Sequence, residues 1–107
     1  MPASPDLVFK ALSDPTRRGL FQRLLSAGEQ TVQGLTDRAR VSQPMVSKHL
    51  GVLKQAGLVG YRREGRETRY RARLQGLAPL FDWINHYRAF WPERFDRLED
   101  LLKRMDQ

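Results

Sequence analysis

Between Val41 and Leu50 the chain reads Val41-Ser42-Gln43-Pro44-Met45-Val46-Ser47-Lys48-His49-Leu50, and this stretch holds its most specific chemistry. If Val46, Leu50 and Leu53 face a core, a helical wheel turns Gln43, Pro44, Ser47, Lys48 and Gly51 outward. The amide of Gln43 can pair bidentately with the edge of adenine, Ser47 can donate to or accept from several bases, and Lys48 can reach guanine or a phosphate. Ser42 and the free amides at the start of such a helix suit a phosphate. Gly51 lets a backbone approach closely or is simply tolerated there. An ordinary amphipathic helix with a polar outer face has the same outline, so this reading depends on what lies beside the helix.

What lies beside it is basic. Arg62, Arg63, Arg66 and Arg69 gather around Gly65-Arg66, where their guanidinium groups can contact phosphates or enter a narrow minor groove. The competing reading is a solvated pair of strand faces, with Glu64 and Glu67 pairing some of the arginines. Arg71 and Arg73 lie further from the turn. The formal net charge of +7 is concentrated in this region. Residues 1–41 carry six basic and four acidic side chains, residues 42–73 eight and two, and residues 74–107 five and six. A central basic patch, as opposed to a basic tail, points to a polyanion partner.

Other chemistry finds little support. The chain has no cysteine, which removes disulfides, thiolate metal sites and thiol redox sensing together. His49 lies beside the inward face and is expected to be packed or backbone-bonded. His86 shares a helical face with Asp82, but two ligands do not make a metal site. There is no nucleophile–base pair, no glycine-rich phosphate loop and no carboxylate pair, so no enzyme is expected, no cofactor and no metal. No run approaches the roughly 18 apolar residues that span a bilayer, and the N-terminus lacks a secretory signal. The expectation is a soluble, cytoplasmic protein with no membrane partner.

The elements that must hold these residues are clearly punctuated. Ser4-Pro5 and Asp14-Pro15 each place a capping side chain before a proline that suits the first helical position. The first opens a short helix to about Leu12. The second opens one to about Ala27, with Leu20, Leu24 and Leu25 on one face and Gly28 as a left-handed stop. Thr31 caps a third helix, 32–39, with Val32, Leu35 and Ala39 inward. Ser42 caps a fourth that ends at Ala56, with Gly57 as its stop. Two helices joined by so short a turn read as a helix-turn-helix.

The period then changes. Residues 58–64 and 67–74 read as two strands around Gly65-Arg66, the second with Thr68, Tyr70, Ala72 and Leu74 on one face and Arg69, Arg71 and Arg73 on the other. From Leu77 onward the chain is helical and aromatic, and Pro92 either kinks it or divides it into helices near 77–90 and 92–105. Trp91, Phe95, Leu98, Leu102 and Met105 follow at spacings of 4, 3, 4 and 3, a heptad seam. With Phe90, these side chains are too apolar for a free helix, and a domain of 107 residues gains by sharing its core with a second copy. The expected fold class is mostly α with a small β-hairpin: one winged helix-turn-helix domain over 1–107, with 77–107 as C-terminal dimerisation helices.

The stretch Leu12-Ser13-Asp14-Pro15-Thr16-Arg17, the segment Val41–Leu50, Ala56-Gly57-Leu58-Val59, Arg62-Arg63-Glu64-Gly65-Arg66 and Tyr70 together resemble ArsR/SmtB-type regulators over about residues 6–75. The resemblance implies a dimeric winged-helix repressor on double-stranded operator DNA, joined through its first and last helices, with Leu7 contributing from the first. Thiolate-using members carry cysteines on the third helix, where this chain has Gly34-Leu35-Thr36-Asp37-Arg38. Zinc-binding members need Asp and His pairs at the last helices. Asp82 matches one ligand, but Ile84 stands where a His is expected, and Phe95 and Leu98 fall at later ligand positions. The pattern Asp82-Trp83-Ile84…Tyr87-Arg88-Ala89-Phe90-Trp91 resembles a metal-independent branch, and the effector stays open. Two rivals to a sequence-specific repressor are a metal-responsive sensor and a protein-interaction module with incidental DNA contact.

Overall fold

The computed structural model describes residues 5–90 and 92–105, with the backbone alone for Pro92, Glu93 and Phe95. Helix α1 (Pro5–Ser13) is followed at once by α2 (Pro15–Ala27), because Asp14 adopts an extended backbone and its Oδ2 accepts from the Arg17 amide at 3.0 Å. Capping of α1 by Ser4 lies outside the described residues. Gly28 closes α2 at φ +82°, although its ψ of −162° is extended instead of helical. The face that α2 buries is Leu20, Phe21 and Leu24; Leu25, expected inward, is 45% exposed. Phe21 and Leu25 both lie near the edge of the apolar stripe, and the larger aromatic ring takes the buried edge.

A two-residue strand, β1 (Gln30–Thr31), leads into α3 (Val32–Arg38), whose start is capped by Thr31 Oγ1 accepting from the Gly34 amide at 3.0 Å. Helix α4 (Gln43–Gln55) is capped by Ser42 and buries Val46, His49, Leu50 and Leu53. The hairpin is β2 (Val59–Glu64) and β3 (Glu67–Ala72), and β3 is central because β1 pairs on its other side, Gln30 opposite Tyr70 and Thr31 opposite Arg69. The sheet thus has three antiparallel strands where sequence reading expected two. Leu74, expected to continue the strand, instead begins a 3-10 turn, Leu74–Leu77, and is exposed.

That turn is fixed by a close backbone crossing. A Cβ on Gly76 would lie 2.1 Å from the carbonyl oxygen of Gly57, which itself sits at φ +77° where α4 gives way to the hairpin. Arg73 donates its amide to the Leu58 carbonyl at 2.7 Å beside this crossing. The chain leaves the sheet here and enters α5 (Ala78–His86), a 3-10 turn at Arg88–Phe90, and α6 (Pro92–Met105). Pro92 therefore divides the tail into two helices, standing at a first helical position where its missing N–H costs nothing.

One core joins these elements: Val8 and Ala11 from α1, Leu20, Phe21 and Leu24 from α2, Leu35 from α3, Val46, Leu50 and Leu53 from α4, then Ala56, Leu58 and Val59. Phe9 of α1 meets Trp83 of α5 edge-on, ring centroids 5.3 Å apart. Beyond Leu80 every described side chain is exposed, including Phe90 at 71%, Leu98, Leu102 and Met105. Trp91, and the side chain of Phe95, lie outside the described residues.

Candidate nucleic-acid interface

With Val46, Leu50 and Leu53 buried, α4 exposes Gln43, Pro44, Ser47, Lys48 and Gly51, the set expected from the wheel, together with Met45. The Ser42 hydroxyl accepts from the Met45 amide at 3.4 Å and keeps its own hydrogen to donate. A methyl added at Gly51 would meet nothing within 4 Å, so the glycine is not required by packing within the chain.

The inner face of α4 is held by a side chain from α2. His49 is 7% exposed, and Arg17 Nη1 lies 3.3 Å from its Nδ1. A guanidinium only donates, so in this contact Nδ1 stands as the acceptor. The same guanidinium donates through Nε to the Ala11 carbonyl at 2.8 Å and through Nη2 to that of Lys10 at 3.2 Å. Arg18 donates likewise to the carbonyls of Leu12 and Ser13. The Asp14-Pro15-Thr16-Arg17-Arg18 run is thus a joint that caps both helices it separates and anchors the exposed helix α4. The expectation of a packed His49 holds, with a side-chain partner in place of a backbone one.

Next to α4, a cleft of about 260 Å³ is lined by Thr31, Val32 and Gln33, by Gln43 and Ser47, and by Arg66, Glu67 and Thr68. The outer face of α4 and the tip of the hairpin therefore open on the same side of the molecule.

Strand register sorts the arginines that sequence reading grouped together. Tyr61 lies opposite Tyr70 and Arg63 opposite Thr68 on the face that carries Val59 and Ala72 inward. Lys54 of α4 places its Nζ 4.2 Å from the Tyr61 ring centroid, so this face looks toward α4. Arg62 and Arg69 lie directly opposite one another on the other face, next to the Glu64–Glu67 pair. There Arg62 is gripped by Glu29, with Nε at 3.1 and 3.2 Å from the two carboxylate oxygens and Nη2 at 2.8 Å from Oε1. Its Nη2 also lies 3.0 Å from Glu64. Arg69 meets Glu64 at 3.0 Å through Nε, without the alignment of a hydrogen bond, and Glu67 at 3.3 Å through Nη2. The hydrogen bond from Arg62 holds the Glu29 carboxyl below its usual range against the opposing effect of burial, and Glu29 in turn raises Arg62. Arg63 and Arg66 are exposed and form no ion pair among the described residues.

Sequence reading anticipated Glu64 and Glu67 as partners but missed Glu29, which sits in the link between α2 and β1 and comes near the hairpin only because β1 pairs with β3. Among the described residues no group of three His, Cys, Asp or Glu side chains could hold a metal ion, and no helix is long and apolar enough to cross a membrane.

Comparison with known proteins agrees with this geometry. Residues 12–62, from the end of α1 into β2, match a family model described as a helix-turn-helix domain. The chain is 35% identical over 80 residues to the transcriptional repressor SdpR of Bacillus subtilis, covering 75% of this chain and 88% of that one. It is 47% identical over 62 residues to a probable mercury resistance operon repressor of Streptomyces lividans, and spans 49% of that relative's length. Among solved structures, an ArsR-like transcriptional regulator from Rhodococcus sp. RHA1 superposes with a TM-score of 0.70 at 33% identity, covering 90% of each chain. A winged helix-turn-helix fold with an exposed α4, a basic hairpin beside it and relatives of this kind makes the chain a member of the ArsR family of helix-turn-helix transcriptional regulators, a family of regulators and not of enzymes.

Proposed function

We propose that the protein is a sequence-specific DNA-binding repressor, acting in the cytoplasm as a homodimer on an inverted-repeat operator. The observation that carries this is the shared cleft: Gln43 and Ser47 of α4 open on the same side as Arg66 and Thr68 of the hairpin tip. A duplex lying across that side takes α4 into its major groove and the tip against its backbone. In this arrangement Gln43 and Ser47 read base edges, Ser42, Pro44 and Lys48 line the entry of the helix, and Arg63 and Arg66 contact phosphates or the minor groove. Arg62 and Arg69 are already paired with carboxylates of the chain itself and are set apart from these contacts.

The dimer rests on exposed apolar surface that one copy leaves uncovered: Leu7 and Phe9 on α1, Trp83 and Ile84 on α5, then Phe90, Leu98, Leu102 and Met105. Trp91 and Phe95 fall in the same stretch of sequence. A two-fold protein requires a two-fold site, with half-site centres about one helical turn, or a multiple of it, apart. Relatives are named for mercury and arsenic resistance, but this chain lacks cysteine, and regulation independent of metal suits it better.

Site selection with purified protein supplies the operator, and a salt titration against operator and scrambled duplexes then tests the roles. Gln43→Ala should lose roughly 1–3 kcal/mol on the operator and little on the scrambled duplex. Arg66→Ala should weaken both and reduce the salt slope by about one per subunit. Equal losses on both duplexes for Gln43→Ala would remove base reading from that residue. An interaction module with incidental DNA contact shows no preference between the two duplexes.

A further inference from the structure

Toward its tip the hairpin has one face on which two arginines are matched by carboxylates of the chain itself, while Arg71, further from the tip on that face, is exposed. Arg62 and Arg69 stand opposite each other there, and three carboxylates, Glu29, Glu64 and Glu67, meet them at 2.8–3.3 Å. Arg62 donates to Glu29 through Nε to Oε2 and through Nη2 to Oε1, the forked geometry with which arginine grasps a phosphate. Glu29 does so from the far side of the sequence, 33 residues away, and not from within the hairpin. The opposite face and the tip carry Arg63 and Arg66 without such partners among the described residues. Near the tip, the arginines of the hairpin are therefore matched by carboxylates on one face only.

We propose that Glu29 and Glu64 are specificity-determining residues: they occupy the phosphate-binding edge of Arg62 and keep it out of sequence-independent DNA binding. This rests on the reading of the chain as a DNA-binding regulator. Each phosphate that a cation neutralises adds affinity for any duplex, whatever its sequence. An unmasked Arg62 adds that term to every site in the genome. In the operator complex the base contacts of α4 fix the orientation, and Arg62, on the face turned away from α4, stays off the duplex. In non-specific complexes orientation is loose, and an unmasked guanidinium finds a phosphate. Masking thus lowers background binding while leaving operator affinity in place, and it is the ratio of the two that decides occupancy.

The test is a salt titration of the full chain by fluorescence polarisation, with operator and scrambled duplexes, for wild type, Glu29→Gln, Glu64→Gln, Arg62→Gln and Glu29→Gln/Arg62→Gln. Glu29→Gln should steepen the slope on the scrambled duplex by about one per subunit and tighten that binding by about eightfold at 0.1 M salt. On the operator it should change affinity less than twofold. Glu64→Gln should move the same way and serves if Glu29→Gln unfolds. Arg62→Gln should match wild type on both duplexes, and the double variant should return to wild type. An Arg62→Gln protein that loses about one unit of slope overturns the proposal, because Arg62 then contacts phosphate in spite of its carboxylates. So does a slope unchanged in both Glu29→Gln and Glu64→Gln. Failure of wild type to bind either duplex overturns instead the underlying DNA-binding reading, so the two failures are distinct.

Discussion

Arg17 of α2 and His49 of α4 meet at 3.3 Å beneath the exposed face of α4, and the same guanidinium holds the last carbonyls of α1. One side chain thereby fixes three helices relative to each other. It should be costly to remove. Arg17→Ala leaves a buried ring nitrogen and two helix-end carbonyls without their donor, and should destabilise by about 1–3 kcal/mol. Arg17→Lys should recover less than half, since an ammonium cannot serve the three acceptors in one plane. Urea denaturation measures both, and an unaltered midpoint for Arg17→Ala would show that the joint is redundant.

Gly76 offers a second, purely steric test. Its Cα passes so close to the Gly57 carbonyl that a methyl group cannot fit without moving one backbone segment. Gly76→Ala should cost roughly 1–3 kcal/mol as an overpacked contact. Gly51→Ala, where nothing lies within 4 Å, should leave stability unchanged or slightly raised, as expected for alanine replacing glycine in a helix. Equal behaviour of the two variants in thermal unfolding would contradict the crossing.

The Asp14 cap titrates. The Arg17 amide, chiefly, holds the Asp14 carboxyl below its ordinary 3.8. A carboxyl whose folded value is depressed contributes stability above its unfolded value and loses it as the pH falls through the folded one. Asp14→Asn caps about as well but does not ionise. Wild type and Asp14→Asn should therefore have similar melting temperatures near neutrality and diverge in acid, wild type falling faster. Parallel curves would remove Asp14 as a titrating cap.

A second copy should cover the apolar tail. Each large side chain so buried is worth on the order of 1.5–3 kcal/mol. Leu98→Glu should shift the protein toward monomer in sedimentation and weaken operator binding with it. A wild-type protein that sediments as a monomer at micromolar concentration would end the dimer reading.

Metal should matter little. Zinc, cadmium or arsenite added to chelated, tag-free protein should change operator affinity by less than tenfold, which is about 1.4 kcal/mol of coupling. A larger shift would restore the metal-sensor reading.

Much of this molecule was legible in local chemistry. Asp14, Thr31 and Ser42 each precede a helix and cap it, Pro15 stands just inside the start of α2, and Gly28 and Gly57 end helices at positive φ. Capping, chirality and periodicity act over a few residues, so they can be read from a few residues. The outward set on α4 followed from the same rule, since burying Val46, Leu50 and Leu53 turns Gln43, Ser47 and Lys48 to solvent.

What depends on distant pairing could not be read that way. Strand β1 is two residues long and carries no period, yet it places Glu29 against Arg62. That Phe21 and not Leu25 takes the buried edge of α2 was decided by tertiary packing. The short backbone crossing of Gly57 and Gly76 ended β3 before Leu74. Above all, sequence placed four arginines around one turn, and only the pairing of β3 with β2 and β1 decided which were matched by carboxylates among the described residues. Alternation along a strand assigns faces, but the charge left on a face is set by whatever the fold brings to it.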